Sequence, residues 1–559
     1  MRPTKKDAGL PDYALVERRE MLRGMGDGEE ALARIQVGVV SSWGELNPAA
    51  AHLDKVSQAV KAGVWAAGGT PREFVVSSLC TSLAGDDRYL LPYRDVVAGY
   101  IETMARASLL DALVLVPVCD DVIPAHLMAA ARLDLPAVVV TGGYMQLNRW
   151  RGAPVDPLQV AAGHFVDHEK GRTDDAEFAE IVDRGCPGGG ACPVMGTANT
   201  MAALVEALGM SLPGNGATPG ADSRLLRLAF QAGQQAVALH RRGVTPSRIL
   251  TPEAFENAIR VLMAVGGSTN AVLHLQAVAA ELGLALDPQL FNRLNADTPL
   301  ICDVAPSGSG THFMAELDEA GGVQAVMKEL EPLLHTQALT VTGEPLERSL
   351  EVANVRDRGI IRPLADPLAP EGGLRFLRGS LAPDGALVKS SAVPAAMHRH
   401  RGPARIFSRE EEACNALADG VLAPGDVVVL RYAGPRGDPG MRLQQRFLWQ
   451  LAARGLHDRV ALVTDGRISG TNKGCAVTHV APEAAAGGPL AIVEEGDGIA
   501  VDIPAGTLEL EVPADEVRRR LDAWHPPEQQ SPGGWLSVYA RLARSADAGA
   551  ALDYPPAHT

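Results

Sequence analysis

The sequence predicts an α/β protein. Its N-terminal α/β domain has a largely parallel sheet, and its C-terminal domain is a barrel or sandwich of short strands with inserted helices. Three observations predict this. Strand-like and helix-like runs alternate from residue 35 to residue 140 at the spacing of βαβ units. Residues 340–386 (RPLADPLAPEGGL, GSLAPDGALVK) are rich in Pro, Gly and Asp and read as a crossing between domains. From about residue 386 onward the runs ARIF, DVVVLRY, VALVTD, GPLAIV, GIAVDI and LELEV recur between turn signals. With 559 residues the chain has enough length for more than one domain. The boundaries predicted are 1–370, 380–525 and a Pro-rich, mobile tail over 526–559.

In chain order, residues 1–33 are charged and peripheral, and Ile35–Val40 reads as a short buried strand. A polar loop, SSWGELNPAA, leads to a helix with Leu53, Val56, Val60 and Val64 on one face. GGT at 68–70 stops it, and Glu73–Leu79 is the next strand. Ala112–Val118 is a continuous apolar run, as a strand covered on both faces requires. A helix over Ile123–Arg132 and a strand over Pro136–Val140 complete the βαβ pattern. Residues 223–285 are mostly helical and contain the glycine-rich Gly266–Asn270.

Composition narrows the function classes. Lys and Arg number 51 against 67 Asp and Glu, a net charge of −16, which argues against nucleic acid and anionic membrane surfaces as partners. Aromatics are 4% of residues, so no base-stacking platform is expected. The N-terminal MRPTKKDAGLPDY lacks the apolar core of a signal peptide, and no apolar run is long enough to span a bilayer. Seven cysteines without tight spacing do not read as a disulfide framework. A cytoplasmic protein with reduced thiols acting on a small molecule is the expectation.

The chemistry is expected around Gly185–Gly216, where Cys186 and Cys192 sit in a glycine-rich loop before a helix. Met201, Leu204, Val205 and Leu208 mark one apolar face of that helix, with Thr197 or Asn199 as its cap and Gly209 as its stop. Cys192 is then either a thiolate favoured by a helix N-terminus or a buried structural thiol.

Long motifs extend this reading. SSWGELNP, LMAAARLDLPAVVVTGG, TANTMAALVEALGMSLPGNG, GGSTNAVLHL, LAPDGALVK, HRGPARIF, GDVVVLRYAGP, TDGRISG and HVAPEAAAGGPLAIV span roughly 35–515. Together they resemble the dihydroxy-acid dehydratase and 6-phosphogluconate dehydratase family of iron–sulfur hydro-lyases. The resemblance implies an α/β domain followed by a β-barrel-like domain, an active site between them, and a homodimer or higher homo-oligomer. It also implies a cluster held by three cysteines with one iron open as a Lewis acid, a magnesium ion at the substrate's carboxylate end, and a serine base.

Carried over residue by residue, the resemblance makes Cys119 and Cys192 cluster ligands, Asp120 a magnesium ligand and Ser469 the base. Several positions depart from the pattern. Ala49 stands where the third cluster cysteine belongs, and alanine has no donor atom. Asp121 replaces the lysine that carries a carbamate, and offers a hard cation a shorter-reaching oxygen. Thr81-Ser82 replace Asp-Gly, and Leu443 replaces a glutamate. These changes predict a labile or absent cluster and a weakened magnesium site. Cys80 and Cys186 are the nearby candidates for the missing thiolate. Strand alternation would turn Cys80 away if Thr81 faces the site. Cys302, Cys414 and Cys475 read as buried thiols, and His398 and His400 as a basic patch. Asp86 and Asp87 lie in a shortened loop without an assigned place.

Three functions follow: a hydro-lyase acting on a hydroxylated carboxylic acid with an altered site; a cluster- and magnesium-independent lyase, isomerase or cyclase; and a catalytically silent subunit or binding protein. Fold alone does not choose among them.

Overall fold

A computed structural model describes residues 10–471, 473–527 and 533–554. The N-terminal domain is built on β1 (Ile35–Ser41), α1 (Leu53–Ala66), β2 (Gly69–Val75), α2 (Leu90–Ala107), β3 (Ala112–Val116), α3 (Val122–Leu133) and β4 (Ala137–Val139). The four strands form one parallel sheet in the order β2-β1-β3-β4. The α1 stripe Leu53, Val56, Val60 and Val64 is fully buried beneath it. Strand β2 ends at Val75, four residues short of the expected Leu79. The chain then leaves the sheet before Cys80, so strand alternation no longer governs where Cys80 and Thr81 point.

Behind the sheet lie α4 (Thr197–Ala207), α5 (Ser223–Arg242), α6 (Pro252–Ala264) and α7 (Asn270–Glu281). Helix α4 differs from the amphipathic expectation, because all of its residues are buried. Asn199 does not cap it; its amide donates to the carbonyls of Cys192 and Val194 at 2.6 and 2.8 Å and so ties the glycine-rich loop to the helix. Helices α1 and α5 cross at contact distance through Gly63 and Gly233. A Cβ on Gly63 would lie 1.9 Å from the Phe230 carbonyl oxygen.

The C-terminal domain is a closed eight-stranded barrel formed by β5 (Arg375–Gly379), β6 (Ala382–Val388), β7 (Arg399–Phe407), β8 (Val427–Leu430), β9 (Ala461–Thr464), β10 (Ala476–Ala481), β11 (Gly498–Asp502) and β12 (Thr507–Leu510). The order around it is β8-β9-β10-β6-β5-β12-β11-β7. Strands β7 to β10 run parallel where they pair, and the remaining contacts are antiparallel apart from β5 with β12. Closure removes the exposed edges that an open sheet would leave. Two inserted helices, α8 (Glu410–Ala418) and α9 (Gln445–Ala453), pack outside the barrel over a cluster that includes Phe447, Leu448, Leu451 and Val428.

The expected mobile tail is packed over 533–554. Helix α10 (Gly534–Leu542) buries Leu536 and Tyr539. Gln276 donates to the Asp547 carbonyl at 2.8 Å, and Asp95 accepts from the Leu552 N–H at 3.0 Å. Residues 528–532 and 555–559 of the tail lie outside the described residues. No helix among those described is long and apolar enough to cross a membrane.

Candidate active site

Loops from both domains meet at a cavity of about 60 Å³ lined by Cys80, Cys119, Asp120, Cys192, Thr197, Gln445, Trp449, Ser469 and Thr471, among others. Four of the five residues expected from the sequence, Cys119, Asp120, Cys192 and Ser469, are therefore brought together. Cys80 joins them; Asp121, Cys186 and Ala49 do not line the cavity.

Each cavity residue has a local cause for its place. Cys119 lies three residues past the end of β3 in the left-handed region with φ +79°, a strained conformation for a residue with a Cβ and one that recurs at functional sites. Cys80 opens a turn in which its carbonyl accepts from the N–H groups of Leu83 and Ala84 at 3.1 and 3.0 Å. The Cys192 loop is held close to Tyr144 by Gly190 at φ +117°, where a Cβ would lie 2.3 Å from the Tyr144 carbonyl carbon. Burial, reinforced by the neighbouring Asp120 charge, raises the thiol pKa of Cys119 and Cys192, and burial raises that of Cys80. For Cys192 desolvation is the largest of these effects, and it acts against the thiolate that a helix N-terminus would favour. Burial and the adjacent Asp121 push the Asp120 carboxyl up to about 7.

The Ser469 loop follows β9 and is braced from four directions. The Ser469 N–H donates to the Gln445 side chain at 3.1 Å, and its carbonyl accepts from the Thr197 hydroxyl at 3.0 Å. Its own hydroxyl lies 3.1 Å from that of Thr471. The fully buried Lys389 donates to the Gly470 carbonyl at 2.8 Å, and burial lowers its pKa to about 7. One turn earlier, buried Asp465 accepts N–H bonds from Tyr432, Ala433 and Ala484 at 3.2, 2.9 and 2.9 Å, which fixes the start of the TDGRISG loop.

The donor chemistry separates the two cofactors that the resemblance implies. Cys80, Cys119 and Cys192 approach one cavity from three loops; Cys119 senses the charge of the other two, and Cys192 that of Cys80. No three His, Cys, Asp or Glu side chains close around a single ion among the described residues. Soft thiols spread around a space, rather than converging on a point, suit a polynuclear iron–sulfur group in which each thiolate takes its own iron. The residues present fit that group, since Cys80 adds a third thiol to the cavity lining while Ala49 does not line it.

Magnesium does not fit. The expectation that Asp121 offers it an oxygen meets a different geometry: both Asp121 oxygens accept from the Arg467 guanidinium, at 2.9 and 3.2 Å. Asp86 is paired with Arg88 at 2.6 Å, and Asp87 with Arg442 at 2.6 Å. Thr81 and Leu443 face a second, largely apolar cavity of about 360 Å³ that adjoins the first. Asp120 is left as the one carboxylate lining the thiol cavity. A third cavity, of about 540 Å³, opens on the other side of Trp449 and Thr471 and is lined by His164, His457 and Lys473.

Gln445, Trp449, Lys389 and Arg467 were not singled out by the sequence reading. Gln445 and Trp449 carry a signal that could have found them, since i and i+4 share one face of a helix that follows directly on Leu443.

The comparisons agree with the architecture. Residues 34–349 match the family described as dihydroxy-acid/6-phosphogluconate dehydratase N-terminal, and residues 359–550 match its C-terminal counterpart. A dihydroxy-acid dehydratase from Moorella thermoacetica is 47% identical over 554 residues, covering 98% of this chain and 100% of the relative. Dihydroxy-acid dehydratases from Acetivibrio thermocellus and Ignicoccus hospitalis are each 45% identical, over 98% and 97% of this chain and 100% and 98% of theirs. Two domain matches and near-complete coverage leave one conclusion: the chain belongs to the dihydroxy-acid/6-phosphogluconate dehydratase family.

Proposed function

We propose that this protein is a hydro-lyase that removes water from a hydroxylated carboxylic acid to give a 2-keto acid, without a magnesium ion. The observation that carries the reading is the convergence of Ser469 with Cys80, Cys119 and Cys192 on one cavity between the domains. The reaction breaks the C2–H bond and the C3–O bond and releases water; the resulting enol becomes the keto acid. Cys80, Cys119 and Cys192 would hold an iron–sulfur cluster, which would supply a Lewis acid for the departing hydroxyl. The Ser469 Oγ, acting as its alkoxide, takes up the C2 proton and hands it to the departing hydroxide, which leaves as water, so that the alkoxide is regenerated. Gln445, Thr197 and Lys389 hold the serine loop in place, so little reorganisation is needed as charge develops. Trp449 and Leu158 add apolar surface to the lining of the cavity.

The test is anaerobic reconstitution with iron and sulfide, followed by keto-acid detection on a panel of 2,3-dihydroxy acids, with and without magnesium. The expected result is turnover that magnesium changes by less than about twofold and that Ser469→Ala lowers by roughly a hundredfold or more. A loaded protein that forms no keto acid from any panel member overturns the reading.

A further inference from the structure

The cavity beside the thiols has no role in the reaction as described. It holds about 360 Å³, within the size range of small-molecule sites. Thr81, Ser82, Gln445 and Trp449 line both it and the thiol cavity, so the two form one space joined by a polar neck. Past the neck the wall is apolar, formed by Val160, Phe165, Phe178 and Leu443. Two charged side chains reach it. Asp87 is already answered by Arg442 at 2.6 Å. Arg446 is exposed and forms no ion pair among the described residues, although its charge is felt by Glu410. The space therefore has an apolar barrel, a reactive inner end and a positive outer end.

We propose that this cavity is a substrate subsite. It takes an apolar arm, several carbons long, carried by the hydroxy acid, and Arg446 meets an anionic group at the arm's outer end. The proposal rests on the hydro-lyase reading for the identity of the reacting end. Its physical basis is separate. A hydrated magnesium and its carboxylates would make this wall polar, whereas Thr81 and Leu443 leave it suited to methylene or aryl groups. Each methylene taken from water into such a wall strengthens binding roughly fourfold. A cavity that served only as a solvent-filled entrance would show no such dependence.

The experiment uses the full-length protein and calorimetric titration with butanoate, octanoate and octan-1-ol, none of which needs to react. Octanoate is expected to bind at least about thirtyfold more tightly than butanoate. Octan-1-ol, of equal length and without charge, is expected to bind roughly tenfold more weakly than octanoate. Arg446→Gln should bring octanoate down to the level of the alcohol. Ala161→Trp, at an exposed wall position, should fill the space and abolish octanoate binding while the thermal unfolding midpoint is kept. Equal affinity for butanoate and octanoate, or octanoate binding that neither variant alters, overturns the subsite. The two readings fail separately: chain-length-dependent binding in a loaded protein that makes no keto acid from any hydroxy acid keeps the subsite and removes the hydro-lyase.

Discussion

Arg467 and Asp121 form a buried two-bond ion pair across the domain boundary, with the arginine fully enclosed and its Nη1 and Nη2 2.9 and 3.2 Å from the two carboxylate oxygens. The arginine also donates through Nε to the Met441 carbonyl at 2.9 Å. Removing one partner of such a pair leaves an uncompensated buried charge, at a cost of about 3–5 kcal/mol.

Restoring lysine at this position should therefore damage the fold before it restores any metal site. Asp121→Lys places a second cation against Arg467, and a marked drop in the calorimetric unfolding midpoint is expected. Asp121→Asn should lower it by less, since the amide oxygen still accepts one bond. An unchanged midpoint in the lysine variant would show that the pair is not structural.

Iron retention reports on Cys80. After anaerobic reconstitution, Cys80→Ser should lose most of the iron and sulfide bound by the native protein, and the broad visible absorbance with it. Cys186→Ser, an exposed thiol outside the cavity, should leave both unchanged. If the Cys80 variant keeps its full iron content, the third donor lies elsewhere.

Turnover of 2,3-dihydroxyisovalerate should be slow. The charge that develops at the carboxylate end has no fitting magnesium to meet it, and loss of one such electrostatic contributor costs roughly a hundredfold or more. Leu443→Glu alone should not confer magnesium dependence, because Asp121 remains engaged by Arg467 and Thr81 supplies no carboxylate. Brisk, magnesium-stimulated turnover of this acid by the native protein would contradict the assignment.

A pH effect should arise at Glu410. Its carboxyl is buried, accepts the Phe447 N–H at 2.9 Å at the start of α9, and is pushed up from 4.5 to about 7 by burial. A folded pKa above the unfolded one means that the folded state binds more protons between those values. The contribution of this group is thus fully present below about pH 4.5 and is lost as pH rises through about 7. Glu410→Gln keeps an acceptor and removes the ionisation. Its stability relative to the native protein, from denaturant unfolding, should rise on the order of 2 kcal/mol between acid and pH 8. A difference that stays flat across this range would mean that the carboxyl titrates normally.

Much of the fold was readable because buried parallel strands announce themselves as unbroken apolar runs, as Ala112–Val116 does. Closure of the barrel was not readable from the residues, since β5 and β12 are neighbours in space but far apart in sequence, and no local signal pairs them. Ser469, Cys119 and Cys192 stood out because each sits in a motif. Strand alternation would turn Cys80 away only if β2 continued to Leu79; the strand stops at Val75, and Cys80 opens a turn that lines the cavity. The tail was read from its prolines, although Leu536 and Tyr539, three apart, already mark the stripe that α10 buries.

One helix borders all three cavities. Gln445, Arg446, Trp449, Gln450, Ala452 and Ala453 of α9 border the three cavities between them, and Trp449 touches all three. The thiols stand opposite, on loops of the other domain. The cavity-facing residues of α9 other than Gln445, which braces Ser469, can therefore be rewritten without disturbing the sulfur donors, the serine loop or the sheet. The walls of the three cavities are in this sense modular: one helix face can be exchanged while the thiols and the serine stay where they are.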